Sequence, residues 1–209
     1  VIPEAPAAHF QPVTDATTLE IVARRYGVTP GSVLALGTLE PRKNLARLAR
    51  AYAALPADVC KRHPLVIVGA RGWLSAELEK TLAPLEARSA SRRLGYVSED
   101  DLPLIYAGAR AFAFPSLYEG FGLPVLEAMA SGIPVLTSSV SSLPEVCGDI
   151  ALCVDPLDED ALREGLRRLL EDDAWRQHCA REGLVHAAGF PWSRCVEETV
   201  AVYRELQAE

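Results

Sequence analysis

The sequence predicts an α/β fold, a Rossmann-like parallel sheet flanked by helices, and three observations carry that prediction. Short apolar runs of strand length alternate with segments whose apolar residues recur at helical spacing, the pattern of βαβ units. Several of those runs stop at Gly, Pro or Ser, which end strands and open loops. At 209 residues and 49% apolar content, the chain has material for one large domain with a core of its own.

Residues 1–17 contain three prolines and little periodicity and read as an incoming connection, leaving 18–209 as the folded domain. A short helix from Leu19 to Tyr26 is closed by Gly27. Strands are expected at Val33–Leu36, Leu65–Val68, Arg93–Val97, Ala111–Phe114, Val135–Thr137 and Ala151–Val154. Between them, Leu45, Leu48, Ala49 and Tyr52 recur at helical spacing, as do Leu78, Leu82 and Leu85, then Leu102, Ile105 and Tyr106. Each set gives a helix one face for the sheet. The last third reads as consecutive helices over Asp158–Leu170, Asp172–Ala187 and Ser193–Leu206, with Asp158, Asp172 and Ser193 as N-caps. These helices cover the sheet rather than extend it.

Composition narrows the function. A net charge of -7 argues against a nucleic-acid binder, whose surface must neutralise phosphates with Lys and Arg. The longest apolar stretch, around Pro134–Val140, falls well short of the ~20 residues of a membrane helix, so no transmembrane segment is expected. Cys60, Cys147, Cys153, Cys179 and Cys195 are odd in number, widely spaced and free of any C-x-x-C pattern. They read as thiols in a reducing cytosol, with no metal site. His9, His63, His178 and His186 form no cluster and are assigned surface or packing roles.

In open parallel sheets ligands sit beyond the carboxyl ends of the strands, so the loops there are the places to look. The most informative runs Ser116-Leu117-Tyr118-Glu119-Gly120-Phe121-Gly122-Leu123-Pro124-Val125-Leu126-Glu127-Ala128-Met129-Ala130. Pro124 is placed like a first-turn proline of a helix reaching about Ser131. The amides of Gly122, Leu123 and Val125 would then face a phosphate, helped by the helix dipole. Glu127, read as first-turn, could accept hydrogen bonds from a ribose diol, and Glu119 could reach sugar hydroxyls. Taken singly, Glu127 reads first as a helix stabiliser and Glu119 as a solvated carboxylate.

A second loop, Gly37-Thr38-Leu39-Glu40-Pro41-Arg42-Lys43-Asn44, puts two adjacent cations at a helix N-terminus, which is unfavourable unless an anion is supplied. A diphosphate would supply it; a solvated basic pair is the plainer alternative. The third loop follows Leu94-Gly95-Tyr96-Val97, where Ser98 with Asp101 resembles a capping box. The Tyr96 and Val97 backbone could meet a nucleobase edge, or simply pack. Phe190 and Trp192 are read as pinning the last helix, and the charges from Glu159 to Arg168 as a solvated helix face.

The stretch from Glu119 to Glu127 resembles the E-x7-E signature of the retaining glycosyltransferases of family 4, including the intervening glycines and the Glu-Ala-Met-Ala that follows. Gly37–Asn44 is similar to their G-T-L-E-P-R-K-N segment. Ile67-Val68-Gly69 with Gly72-Trp73-Leu74, and Ser142-Leu143-Pro144-Glu145-Val146 with Gly148-Asp149, match further blocks, and the family domain also closes with helices like Phe190–Leu206. The resemblance spans residues from about 15 to 206.

It implies the C-terminal domain of a GT-B enzyme, in which two Rossmann-like domains face each other across a cleft. By motif position, Lys43 and Arg42 would bind the donor diphosphate, Glu127 the ribose and Glu119 the sugar hydroxyls. Gly37 and the Phe121, Gly122 and Leu123 backbone would contact sugar and phosphate, and Tyr96 and Val97 the base. Position 38 departs from the pattern, with Thr38 where many members carry Arg; Arg42 is placed to compensate.

The implied reaction is metal-independent hexosyl transfer with retention, from GDP-mannose first and UDP-glucose next, and no cofactor beyond that nucleotide-sugar donor. The acceptor would be a glycan or lipid-linked chain held by an N-terminal domain absent from this sequence, so the isolated domain would be inactive. The implied setting is cytoplasmic, with attachment to the inner membrane face as one option. Two other readings stay open: a GT-B sugar-nucleotide epimerase and a non-catalytic sugar-nucleotide-binding module. A nicotinamide oxidoreductase is disfavoured because the first strand leads to Gly37-Thr38-Leu39-Glu40-Pro41 and not to G-x-G-x-x-G.

Overall fold

In the computed structural model, which describes residues 2–70, 72 and 76–208, the apolar runs form six strands: β1 (Ser32–Leu36), β2 (Leu65–Val68), β3 (Ser91–Gly95), β4 (Ala109–Phe114), β5 (Val135–Ser138) and β6 (Leu152–Val154). Trp73 and Leu74 lie outside the described residues. All pairings are parallel, in the order β3-β2-β1-β4-β5-β6. This is the doubly wound Rossmann order.

Side chains alternate across each strand, so the sheet is covered on both faces. Val33, Ala35 and Ile67 pack with α2 (Leu45–Ala53), α4 (Ala76–Ala87) and α8 (Glu159–Glu171). Leu34, Val66, Phe112 and Phe114 pack with α1 (Ala16–Tyr26), α5 (Leu102–Ala107), α6 (Leu123–Ala130) and α7 (Leu143–Cys147). α3 (Ala57–Arg62), α9 (Asp173–Ala188) and α10 (Trp192–Ala208) complete the helices of the described residues.

Local chemistry sets the element ends. Asp158 and Asp172 cap α8 and α9 through Ala161 N (2.9 Å) and Trp175 N (2.9 Å), as their spacing predicts. Gly27 closes α1 in the left-handed conformation at φ 62°. That helix starts earlier than its apolar period suggests, because Asp15 accepts the Thr17 and Thr18 amides at 3.1 and 3.3 Å. Ahead of it, Phe10 is buried edge-on against Tyr106, with centroids 5.4 Å apart.

Three expectations change. β3 covers 91–95, not 93–97: Gly95 turns to φ 70° and ends the ladder, while Ser91, Arg92 and Arg93 join it because an edge strand tolerates polar, half-exposed residues. Ser193 is not a cap, since α10 begins at Trp192. Ser98 accepts the Asp101 amide at 3.2 Å, but the Asp101 carboxylate does not close a capping box; Arg25 and Tyr26 of α1 hold it, both at 2.8 Å.

Tyr52 ties α2 to the start of the sheet. Fully buried, its hydroxyl lies 2.9–3.1 Å from the carbonyls of Cys60, His63 and Ala90. One proton serves three acceptors; Ala90 O also accepts from Leu65 N at 3.0 Å, so removing the hydroxyl takes a donor chiefly from the Cys60 and His63 carbonyls. Tyr52→Phe is expected to lower the unfolding free energy by about 1–2 kcal/mol in urea titration; an unchanged midpoint would contradict that role.

Candidate functional site at the sheet's switch point

The strand order reverses between β1 and β4. Their carboxyl ends are neighbours, and the chains that leave them go to opposite faces of the sheet, opening the crevice where doubly wound folds bind ligands.

After β1, Gly37 takes φ 139°, a conformation that L side chains rarely adopt, and a Cβ there would sit 2.9 Å from Lys43 Cε. Gly37 therefore lets the lysine stem lie across the backbone. The loop closes in a 3₁₀ turn, Pro41–Lys43, so the basic pair precedes α2 instead of occupying its first turn. Asn44 follows in the left-handed region at φ 57°, which asparagine tolerates. Its buried Nδ2 donates to Pro115 O (3.0 Å) and Pro156 O (2.7 Å), and Leu117 N donates to Arg42 O (2.8 Å). The loop after β1 is thus stitched to the loop after β4.

Glu119, on that second loop, completes the join. Lys43 Nζ donates to its Oε1 and Arg42 Nη1 to its Oε2, each at 2.6 Å; Arg42 also reaches Glu40 and the Tyr118 carbonyl. The Lys43 and Glu119 side chains are each about 11% exposed, and Lys43 Nζ sits 4.7 Å from the centre of the Phe114 ring. Burial alone would push the Glu119 carboxyl up; the Lys43 hydrogen bond, with Arg42 behind it, outweighs this and holds it below the ordinary carboxylate value. The sequence left the two cations waiting for an external anion and Glu119 open to sugar. In the structure Glu119 is itself that anion.

Two serines after β5 hold the loop that carries Glu119. Ser141 Oγ accepts the Glu119 amide (3.2 Å) and donates to its carbonyl (2.7 Å); Ser142 Oγ donates to Phe121 O (2.6 Å). Gly122, at φ 122°, leads into α6 with Pro124 in the first turn. The Gly122 and Leu123 amides have no acceptor among the described residues, but Val125 N already donates to Gly122 O at 2.9 Å, which removes it from the expected anion nest.

Glu127 also moves in the account. It falls in the second turn of α6, beyond the strongest influence of the helix dipole. Burial pushes its carboxyl up, partly offset by a 3.1 Å hydrogen bond from the Tyr106 hydroxyl.

The remaining residues ring the same crevice. Tyr96, 78% exposed, and Val97, buried, follow the end of β3 and line a cleft with Gly37, Thr38, Gly69 and Gly95. Phe121 packs edge-on against Phe190 at 6.3 Å, so Phe190 supports the site loop, while Trp192 stands about half exposed. The structure thus gathers Gly37, Arg42, Lys43, Glu119, Phe121, Gly122, Leu123 and Glu127 around the carboxyl ends of β1 and β4, with Tyr96 and Val97 beside them.

Asn44, Ser141, Ser142 and Tyr106 went unassigned in the sequence. Asn between a cation pair and a helix is a readable left-handed signal; the others depend on partners 18 or more positions away. Among the described residues no group of three or more His, Cys, Asp or Glu is placed to hold a metal ion, and no helix is long and apolar enough to cross a membrane. The cysteines are unbridged, though Cys147 and Cys153 bring their sulfurs to 3.2 Å.

Comparison with known proteins places the chain in a family. Residues 25–184 match the family model described as glycosyl transferases group 1, and the chain belongs to that family. It has the architecture of the C-terminal domain of a GT-B glycosyltransferase. It is 42% identical over 200 residues to the O-antigen chain mannosyltransferase B of Escherichia coli, covering 96% of this chain and 52% of that one. It is 35% identical over 222 residues to the D-inositol 3-phosphate glycosyltransferase of Salinispora tropica, covering all of this chain and 46% of that one. The chain thus spans about half the length of these two relatives, and 24% of the serotype-specific mannosyltransferase WbdA of Escherichia coli, to which it is 33% identical. Among solved structures, sucrose-phosphate synthase of Thermosynechococcus elongatus superposes at TM-score 0.79 with 26% identity, over 99% of this chain and 52% of that one. A glycosyltransferase of Rickettsia africae at TM-score 0.83 and 16% identity shares the fold, over 98% of this chain and 56% of that one.

Because the folded Glu119 carboxyl sits below its unfolded value of about 4.3, its pairing contributes stability above that pH and loses it as pH falls through the lower, folded value. Unfolding free energies measured across acid pH are expected to fall less steeply for Glu119→Gln than for the parent below about pH 4.3. Coincident curves would show that the ion pairs contribute nothing.

Proposed function

We propose that this chain binds a nucleotide-activated hexose at the β1/β4 switch point and supports its transfer, with retention of anomeric configuration, to a glycan or lipid-linked acceptor. The observation that carries the reading is the convergence of Arg42, Lys43 and Glu119 from two loops beside the unpaired amides of Gly122 and Leu123. Breaking an anomeric bond to a diphosphate builds negative charge on the leaving group, and fixed cations and oriented amides stabilise that charge without reorganising.

In this mechanism the diphosphate takes over Lys43 and Arg42 from Glu119. Released from both cations, Glu119 becomes an acceptor for the donor's sugar hydroxyls. Glu127 accepts from the ribose, and the Tyr96–Val97 backbone meets the base. No step calls for a metal. The mannosyltransferase relatives support a mannosyl donor; the proposed donor is GDP-mannose, with UDP-hexoses next. Acceptor binding belongs to the part of such a protein that this chain does not match, so the isolated domain captures donor without turnover.

Calorimetric titration of the chain with GDP, UDP, ADP and NAD tests the reading. One nucleoside diphosphate is expected to bind, and Lys43→Ala to weaken it about tenfold. Glu119→Gln, by removing the competing carboxylate, is expected to tighten a nucleoside diphosphate that lacks its sugar. Binding of NAD alone, or a Glu119→Gln variant that binds more weakly, would contradict the site. Conversion of a free sugar nucleotide to its epimer would replace transfer with epimerisation.

A further inference from the structure

Tyr106 lies behind the site and has no part in the reading above, yet it is the one side chain in hydrogen-bonding contact with the Glu127 carboxylate among the described residues. It sits on α5 and is fully buried. Its ring is clamped by Phe10, edge-on at 5.4 Å, and by Phe112, tilted at 5.2 Å. From that fixed ring the hydroxyl reaches Glu127 Oε2 at 3.1 Å, with the Pro124 carbonyl farther off at 3.4 Å. A phenol has one proton to give. The nearer acceptor is a carboxylate, which takes a stronger hydrogen bond than a carbonyl does.

Burial, together with the Glu127 charge, pushes the phenol up, so it stays protonated and donates. Glu127 is drawn the other way by the same contact. Burial favours its neutral form, and the Tyr106 hydrogen bond favours its charged form. A carboxylate has about four lone-pair positions. Tyr106 occupies one on Oε2 and leaves Oε1 without a partner among the described residues.

We infer that Tyr106 is a positioning residue: its buried hydroxyl fixes the Glu127 carboxylate from the core side so that the remaining lone pairs accept the vicinal diol of the donor's ribose. The inference rests on the reading of Glu127 as the ribose acceptor and goes beyond it. Discrimination between ribose and deoxyribose is then set partly by a core tyrosine that never touches the ligand. Phenylalanine at 106 would keep the aromatic cluster but leave Glu127 free to rotate and easier to protonate.

The test is a matrix of dissociation constants for GDP and UDP, each beside its 2′-deoxy counterpart, on the parent chain, Tyr106→Phe and Glu127→Ala, with thermal unfolding of each variant as the fold control. For whichever base binds, Tyr106→Phe is expected to weaken the ribonucleotide about fivefold while leaving the deoxy form within about twofold. Glu127→Ala is expected to abolish the difference between the two sugars. If Tyr106→Phe weakens ribo and deoxy forms equally, or neither, Tyr106 is structural only and the proposal is overturned. If Glu127→Ala leaves the ribo-to-deoxy ratio unchanged, the ribose reading itself fails and the proposal falls with it; the two failures are told apart by which variant is silent. A Tyr106→Phe chain that does not unfold cooperatively is replaced by Tyr106→Met, judged by the same ratio.

Discussion

The pairing of Glu119 with Lys43 and Arg42 is the contact on which the site's geometry depends. It joins residues 76 and 77 positions apart, on loops leaving adjacent strands for opposite faces of the sheet. Two charges nearly removed from water are costly unless each finds the other in good geometry. Here both carboxylate oxygens are used, and the backbone around them is fixed by Asn44, Leu117, Ser141 and Ser142. The cations are therefore held in place before any ligand arrives, which is the condition for electrostatic stabilisation without reorganisation.

The same arrangement pairs the charges of the site with one another. On the proposed reading, a donor diphosphate would compete with the Glu119 carboxylate for Lys43 and Arg42. Such competition lowers affinity for the bare nucleotide and rewards a ligand that also gives Glu119 a new partner, as hexose hydroxyls would. On the same reading, selectivity for a sugar nucleotide over the nucleotide alone would come from charge balance at the switch point.

Much of this fold is legible in the sequence, because alternating apolar runs and caps such as Asp158 and Asp172 are local signals. What escaped was short, polar or non-local. α3 and α7, at six and five residues, are too brief to show a helical period. β3 is polar because it is an edge. The site loops were readable as loops, with the resemblance assigning their roles, but the Glu119 ion pairs were not, since nothing local distinguishes a solvated glutamate from one clamped by a lysine 76 residues away. Glu127 is the fifth residue of α6, just past the first turn that its spacing from Pro124 suggests, because the helix begins one residue earlier at Leu123. Tyr106 fits the apolar period of α5 so well that its hydroxyl was invisible.

The proposed function requires that the cations of the β1 loop exchange Glu119 for a donor diphosphate. A crystal structure of this chain with a bound nucleoside diphosphate tests it most directly. Phosphate oxygens are expected on Lys43, Arg42 and the Gly122–Leu123 amides, with Glu119 withdrawn from both cations and ribose hydroxyls on Glu127. A nucleotide bound elsewhere, or one bound beside an intact Glu119–Lys43 pair, would contradict it.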